Sequence, residues 1–403
     1  MISQMEKELL RVLKYKLFSK EQPAIKHDDV EELLEEAERQ GVLSLAFSAI
    51  KPQPGTEEAL KKHETLNFMH LNNNMRNLYQ HGKISELLKR AGVPHVVLKG
   101  PAAAFHYPEP LLRKSGDVDI LIHETDLLKC DEVLVLNGFE KREETDQHDF
   151  HWGYVCNDTL VEIHWDPPGI PAVGGEEIDG YVVDVIEKSN ESKVVDVLLP
   201  LPSEFHHGMI LLLHTVSHAT GGGIGLRHLC DWLVFENGIS EENFVNEFEA
   251  PLRRVGLWNF AKVMTQMGVL FLGCEPRQWC EDADAELCEE LLEDILSGGD
   301  FGRKDDLRKS QAKLYRDNES GMITKRKMAV NLGANLRERV MRTKKARHVP
   351  GVLMPFIWIG VACEYVFRVI TGKRNNVLNG ELLKGAQKRQ GIYARLELFE
   401  KAD

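Results

Sequence analysis

Apolar positions along the chain change period twice. Up to about residue 90 they recur at helical spacing, as in Leu9, Leu10, Leu13 and Leu17. Asp28 and Asp29 supply the carboxylates that suit a helix N-terminus, and the helix they open runs through VEELLEEAERQ to Gly41. The two prolines and glycine of Lys51 to Gly55 mark a turn or linker. A long helix is predicted from about Glu57 to Arg90, ended by Gly92. The period then shortens. VPHVVL (Val93 to Leu98) and DVDILI (Asp117 to Ile122) read as short buried strands, and TDLLKCDEVLVLNG as a helix closed by Gly138. Phe139–Arg142, Phe150–Cys156 and Thr159–Trp165 read as three further strands, the last two joined by an Asn157-Asp158 turn. From Ser203 onward the pattern is again almost wholly helical. The expected fold class is α+β, with a helical region over 1–55, an α/β core over 56–202 and a helical region over 203–403.

Composition narrows the class of protein. With 43% hydrophobic and 28% charged residues, the 403-residue chain is neither collagen-like nor of low complexity, and its length suggests two or three domains. Lys plus Arg number 50 against 63 Asp plus Glu, a formal charge of -13, so general nucleic-acid binding is not expected. The balance reverses between Arg303 and Arg347, where 15 basic residues face 5 acidic ones. That stretch reads either as a solvated helix pair balancing an acidic remainder or as a surface for an anionic partner. The seven cysteines form no C-x-x-C pair, which points to reduced thiols and a cytoplasmic location rather than a disulfide framework. The N-terminus lacks the apolar run of a signal peptide. Val352–Ile370 approaches the length of a membrane helix, but Glu364 and Arg368 lie inside it, so it reads as a buried or interface helix and no membrane span is expected.

The chemistry concentrates around the strands. Asp117 and Asp119, at i and i+2 on a strand, leave on one face, and two carboxylates crowded in this way repel unless a cation lies between them. Removing either one is therefore expected to leave the sheet intact or to stabilise it. Glu162, in the otherwise apolar LVEIHW, shares a strand face with His164 and is a third candidate ligand for a hard divalent ion, Mg²⁺ or Mn²⁺. Lys99 and Gly100 stand at a strand–glycine–helix junction suited to an anion, and Arg113, four residues before Asp117, carries a forked donor for phosphate. Further along, His214 and His218 are spaced i, i+4 on one helix, as are Arg227 and Asp231 on the next. No H-E-x-x-H accompanies them, which argues against a zinc protease.

Strand–LKG–helix, then R-x-x-x-D-x-D-I-L-I, then a strand carrying V-E-I-H-W, resembles the uncharacterised nucleotidyltransferase family of the DNA polymerase β-like superfamily, most clearly over residues 84–166. The resemblance implies a small mixed β-sheet flanked by helices. It further implies a divalent metal on Asp117 and Asp119, with Glu162 as third carboxylate, and transfer of a nucleoside monophosphate from an NTP to an unidentified small-molecule or protein hydroxyl. In that reading Lys99, Gly100 and Arg113 bind nucleotide, while His164, His214, His218, Arg227 and Asp231 line the acceptor side. Where the wider superfamily usually has Gly-Ser, this chain has Lys99-Gly100-Pro101. The alternative is a catalytically inactive nucleotide-binding or regulatory module on the same fold.

Overall fold

The computed structural model describes residues 2–18, 23, 25–26, 29–52, 54–142, 151–170, 176–316 and 380–399. Three short helices, α1 (Gln4–Phe18), α2 (Val30–Arg39) and α3 (Leu43–Ala49), precede the 35-residue α4 (Glu57–Ala91). Gly92 ends α4 in the left-handed conformation, φ 65°, and its N–H caps the Leu88 and Lys89 carbonyls. The chain then enters a five-stranded sheet: β1 (His95–Val97), α5 (Pro101–Ala104), β2 (Val118–Ile122), α6 (Leu127–Leu136), β3 (Glu140–Lys141), β4 (His151–Cys156) and β5 (Thr159–His164). Its spatial order is β1-β2-β5-β4-β3. The sheet is mixed: β2 and β5 run parallel, and the other neighbours pair antiparallel. Asn157 and Asp158 both adopt positive φ, 49° and 60°, as the tight turn between β4 and β5 requires.

After α7 (Glu176–Val182) comes a separate ribbon, β6 (Asn190–Val194) and β7 (Val197–Leu201), that the hydrophobic pattern does not announce. Both strands are short, β6 is largely polar and exposed, and β7 contains Pro200, so neither carries a clean period. The remaining α-helices among the described residues are α8 (Glu204–Ala219), α9 (Leu226–Asn237), α10 (Glu241–Arg254), α11 (Trp258–Met267), α12 (Ala285–Gly298), α13 (Arg308–Arg316) and α14 (Gly380–Arg395).

Strand alternation assigns the two faces of the sheet. Val97, Val118, Ile120, Ile122, Val161 and Ile163 pack beneath Leu78, Ile84 and Leu88 of α4 and Leu134 of α6. On the other face Val96, Leu98 and Leu121 meet Val185, Ile186 and Ile210, the last from α8. A larger core joins Leu9 and Leu13 of α1, Leu33 of α2, Trp232 and Phe235 of α9, Phe248 of α10 and Leu291 of α12. The N-terminal helices and those after residue 203 thus bury their apolar faces against one another. The six described cysteines are all buried, and no disulfide joins any two of them. Among the described residues no helix is long and apolar enough to cross a membrane. The segment Val352–Ile370 lies outside the described residues, as does all of the basic stretch 303–347 beyond residue 316.

Candidate active site

β1 delivers the chain into Leu98, Lys99 and Gly100. Gly100 turns it at φ 42°, ψ −103°, a conformation that a side chain strains, and α5 begins at Pro101. Beside β1, Asp119 is buried on β2. Its backbone N–H donates to Nε2 of His81 at 3.3 Å, while the His81 Nδ1–H donates to the Asn77 carbonyl at 2.8 Å. Those two partners assign the tautomer. Burial pushes the His81 pKa down to about 4, so α4 presents a neutral ring to β2.

α4 also holds the loop that leads into β2. Asn74 donates to the Leu111 carbonyl at 2.7 Å and accepts from the Ser115 N–H at 2.8 Å. Asn73 reaches the Ser115 carbonyl at 3.4 Å, and Asn77 donates to the Gly116 carbonyl. Asp117 follows at the mouth of the strand, exposed, one residue before the ladder begins.

The parallel register sets Asp119 beside Glu162. Nε2 of His164, two residues on along the same face of β5, lies 3.1 Å from Asp119 Oδ1 and 3.3 Å from Glu162 Oε2. Lys99 Nζ lies 2.6 Å from the same Asp119 oxygen. Burial alone would raise the Asp119 pKa, but Lys99 and His164 hold it well below the usual carboxylate range. Glu162 is likewise lowered: burial raises it, but the His164 hydrogen bond and the charges of His164 and Lys99 together outweigh burial and the Asp119 charge. His164 is raised, because its two carboxylate bonds overcome its own burial. Asp117 stands apart: although the residue is exposed, partial desolvation of its carboxyl where it faces the cleft, then the charges of Asp119 and Glu162, push it up to about 6.

One ligand atom from each of Asp119, Glu162 and His164 lies within 4.8 Å of the others, a grouping able to hold a metal ion. Two carboxylates and an imidazole form a donor set that fits a divalent cation. Asp117 lines the same cleft outside that tight group. His164, expected on the acceptor side, stands between buried Asp119 and half-buried Glu162.

A cavity of ≈ 360 Å³ spans from these carboxylates to α8 and α9. Lys99, Gly100, Arg113, His214, His218, Arg227 and Asp231 all line it. Arg113 does not offer a free fork: Nε and Nη2 donate to Asp231 at 3.0 and 2.7 Å, and the Tyr107 hydroxyl donates to the same carboxylate at 2.8 Å. The fold gives this guanidinium a buried anion of its own, a constraint that spacing in sequence does not convey. His214 and His218 contact through their Nε2 atoms at 2.9 Å; burial lowers both pKa values, that of His218 to about 4, so one neutral ring donates to the other.

Several residues at this site carry no signal in the sequence reading. His81 and the α4 asparagines sit in a helix whose polarity looks like solvent exposure. His228, Asp300 and Phe301 line the cavity from elements selected for packing. Asp300 is almost fully buried, with Arg227 Nη2 3.4 Å from its Oδ1. Phe301 takes φ 56° there, and a non-glycine residue in the left-handed region beside a cleft is a signal available only from the structure.

A family model described as uncharacterised nucleotidyltransferase matches residues 26–273, which contain the sheet, α8 and α9. No curated protein matches the chain significantly.

Proposed function

The chain belongs to the uncharacterised nucleotidyltransferase family, and from that premise we propose that it transfers a nucleoside monophosphate from an NTP to a hydroxyl of a small molecule or protein. The observation that carries the reading is the side-by-side register of Asp119 and Glu162, with His164 bonded to both at the cleft floor. In this proposal Asp117, Asp119 and Glu162 hold Mg²⁺ or Mn²⁺. A divalent cation, when bound, neutralises phosphate charge and assists in-line displacement at the α-phosphorus. Lys99, released from Asp119, pairs with triphosphate oxygens, and the backbone at Gly100 allows the phosphates to approach closely. Glu162, kept ionised by His164, accepts the proton of the attacking hydroxyl. The acceptor oxygen bonds to the α-phosphorus as the bond to pyrophosphate breaks. His214, His218, Arg227 and Asp231 face the acceptor from α8 and α9. The six described cysteines, buried and joined by no disulfide, are in keeping with the proposed cytoplasmic setting.

One contact favours the second reading, a nucleotide-binding module without turnover. Lys99 already neutralises Asp119 at 2.6 Å, a charge balance that needs no cation. Calorimetry with each of the four NTPs, with and without Mg²⁺ or Mn²⁺, together with pyrophosphate release, separates the two. Metal-dependent binding lost in Asp119→Asn, with pyrophosphate release, supports the transferase. Binding without release supports the module. Absence of any NTP binding would sink both.

A further inference from the structure

The cavity has a second polar wall that the carboxylate chemistry does not use. Lys114, Ser115, Arg227 and His228 line it. Lys114 Nζ, Ser115 Oγ, Arg227 Nε and His228 Nδ1 are buried atoms with no hydrogen-bond partner among the described residues. Arg227 and His228 are both more than nine-tenths buried, at 8% and 2% exposure. The His228 ring contributes a donor: Arg227 Nη2 lies 3.3 Å from His228 Nε2, which must accept, so the proton resides on Nδ1. Three of the four orphaned groups are therefore donors, and the serine hydroxyl is able to donate as well. Asp300 Oδ1 lies 3.7 Å from His228 Nδ1 and Glu38 Oε1 lies 3.6 Å from Lys114 Nζ, both beyond hydrogen-bond reach, so these donors converge on the cavity without an acceptor at bonding distance among the described residues.

The charges agree. Arg113 is matched by Asp231, whose carboxylate also takes the Tyr107 hydroxyl. Arg227 reaches Asp300 at 3.4 Å and Asp231 at 3.8 Å. Among the described residues Lys114 has one ion-pair partner, Glu38, at 3.6 Å, and Glu38 already takes Arg303 at 2.8 Å. Burial lowers the Lys114 pKa, with Glu38 and Asp300 opposing the shift and Arg303 and Arg227 adding to it.

We propose that Lys114, Ser115, Arg227 and His228 form a subsite for a phosphate group, separate from the Asp119–Glu162–His164 cluster within the same cleft. The proposal rests on the transferase reading for its context, and it specifies the substrate: the group bound there is either the terminal phosphate of the NTP or a phosphate carried by the acceptor. A fork, an ammonium, a hydroxyl and a ring N–H together match the several oxygens of a phosphate.

The test uses the full chain and three probes by calorimetry: Mg–ATP, AMP with Mg²⁺, and inorganic phosphate added to protein with and without saturating Mg–ATP. The variants are Lys114→Gln and Arg227→Gln. Because Arg227→Gln also takes the partner from Asp300 and can disturb α9, Lys114→Gln carries the test, with circular dichroism verifying its fold. If the subsite takes the nucleotide tail, Lys114→Gln weakens Mg–ATP by about 10-fold or more and leaves AMP unchanged, on the scale of one charge-assisted hydrogen bond. If it takes an acceptor phosphate, Mg–ATP affinity is unchanged, and inorganic phosphate binds the ATP-loaded parent but not the variant. Should the parent bind no Mg–ATP, the transferase reading fails on its own, while phosphate binding lost in Lys114→Gln still supports the subsite. Equal affinities of parent and folded Lys114→Gln for all three probes, or no phosphate-bearing probe binding the parent, overturn it.

Discussion

Substituting the two aspartates by asparagine should have opposite effects on stability, although the strand spacing makes them look equivalent. Asp119 is buried between Lys99 and His164, whose side chains are 18% and 4% exposed. Asp119→Asn leaves an ammonium and an imidazole facing each other without the carboxylate that joins them. Removing one partner of a buried pair costs about 3–5 kcal/mol, and the cost falls to roughly 2–3 kcal/mol here because His164 can shed its proton and Lys99 can reach water. At about 2–4 °C per kcal/mol for a domain of moderate size, Tm should fall by roughly 4–12 °C. Asp117 has no such partner among the described residues, and its pKa of about 6 lies above the ordinary value because its carboxyl, on a residue otherwise exposed, is partly withdrawn from water in the cleft, and because of the charges of Asp119 and Glu162. A folded-state pKa above the unfolded value means that ionisation disfavours the fold, so stability is withdrawn as pH rises from about 4 to about 6. Asp117→Asn should therefore gain on the parent above about pH 6 and lose that advantage below about pH 4, by no more than ~1 kcal/mol because the residue is exposed and solvent screens it. Thermal and urea unfolding followed by circular dichroism, in chelator at about pH 5 and 7.5, reads both effects. An Asp119→Asn protein as stable as the parent, or an Asp117→Asn protein that falls equally far, would refute the charge assignment. The expectation that either carboxylate can be removed freely thus survives for Asp117 alone, because the fold supplies two cations to Asp119.

Mn²⁺ affinity should strengthen as pH rises through about 6, since Asp117 must lose its proton to serve as a ligand; a flat calorimetric profile between about pH 5 and 7 would count against this. Asp231→Ala should cost about 3–5 kcal/mol by stranding the buried Arg113, and Asp231→Leu combined with Arg113→Met should recover most of it. Additive losses in urea unfolding of that double variant would contradict the pairing. Gly100→Ala should cost about 1–2 kcal/mol from backbone strain alone, because an added Cβ meets its nearest neighbours at an ordinary 3.6 Å. Parent-like stability in denaturant titration would show that the turn does not need glycine.

Local pattern alone identifies much of this fold. The helical period determines α4 and its end at Gly92, Asn157-Asp158 determines the β4–β5 turn, and strand alternation determines that Asp119, Glu162 and His164 emerge from the sheet opposite its Val and Ile face. These are properties of neighbours along the chain, governed by backbone geometry that each residue carries with it. Which charge answers which is another matter. Arg113 is 118 positions from Asp231, and the Asp119 N–H is 38 positions from the His81 ring that receives it. Arg113 in sequence is a free fork near a metal motif; in the fold it is half of a buried pair. Asp300, Lys114 and His228 likewise acquire their relation to the cleft only when α9 and the segment after α12 close over the sheet. Coulomb and hydrogen-bond energies depend on distances and burial created by packing, and no local period encodes them. The sequence by itself determined which residue types face the cleft from the strands. The tertiary structure decided which of them are neutralised and which remain available to a ligand.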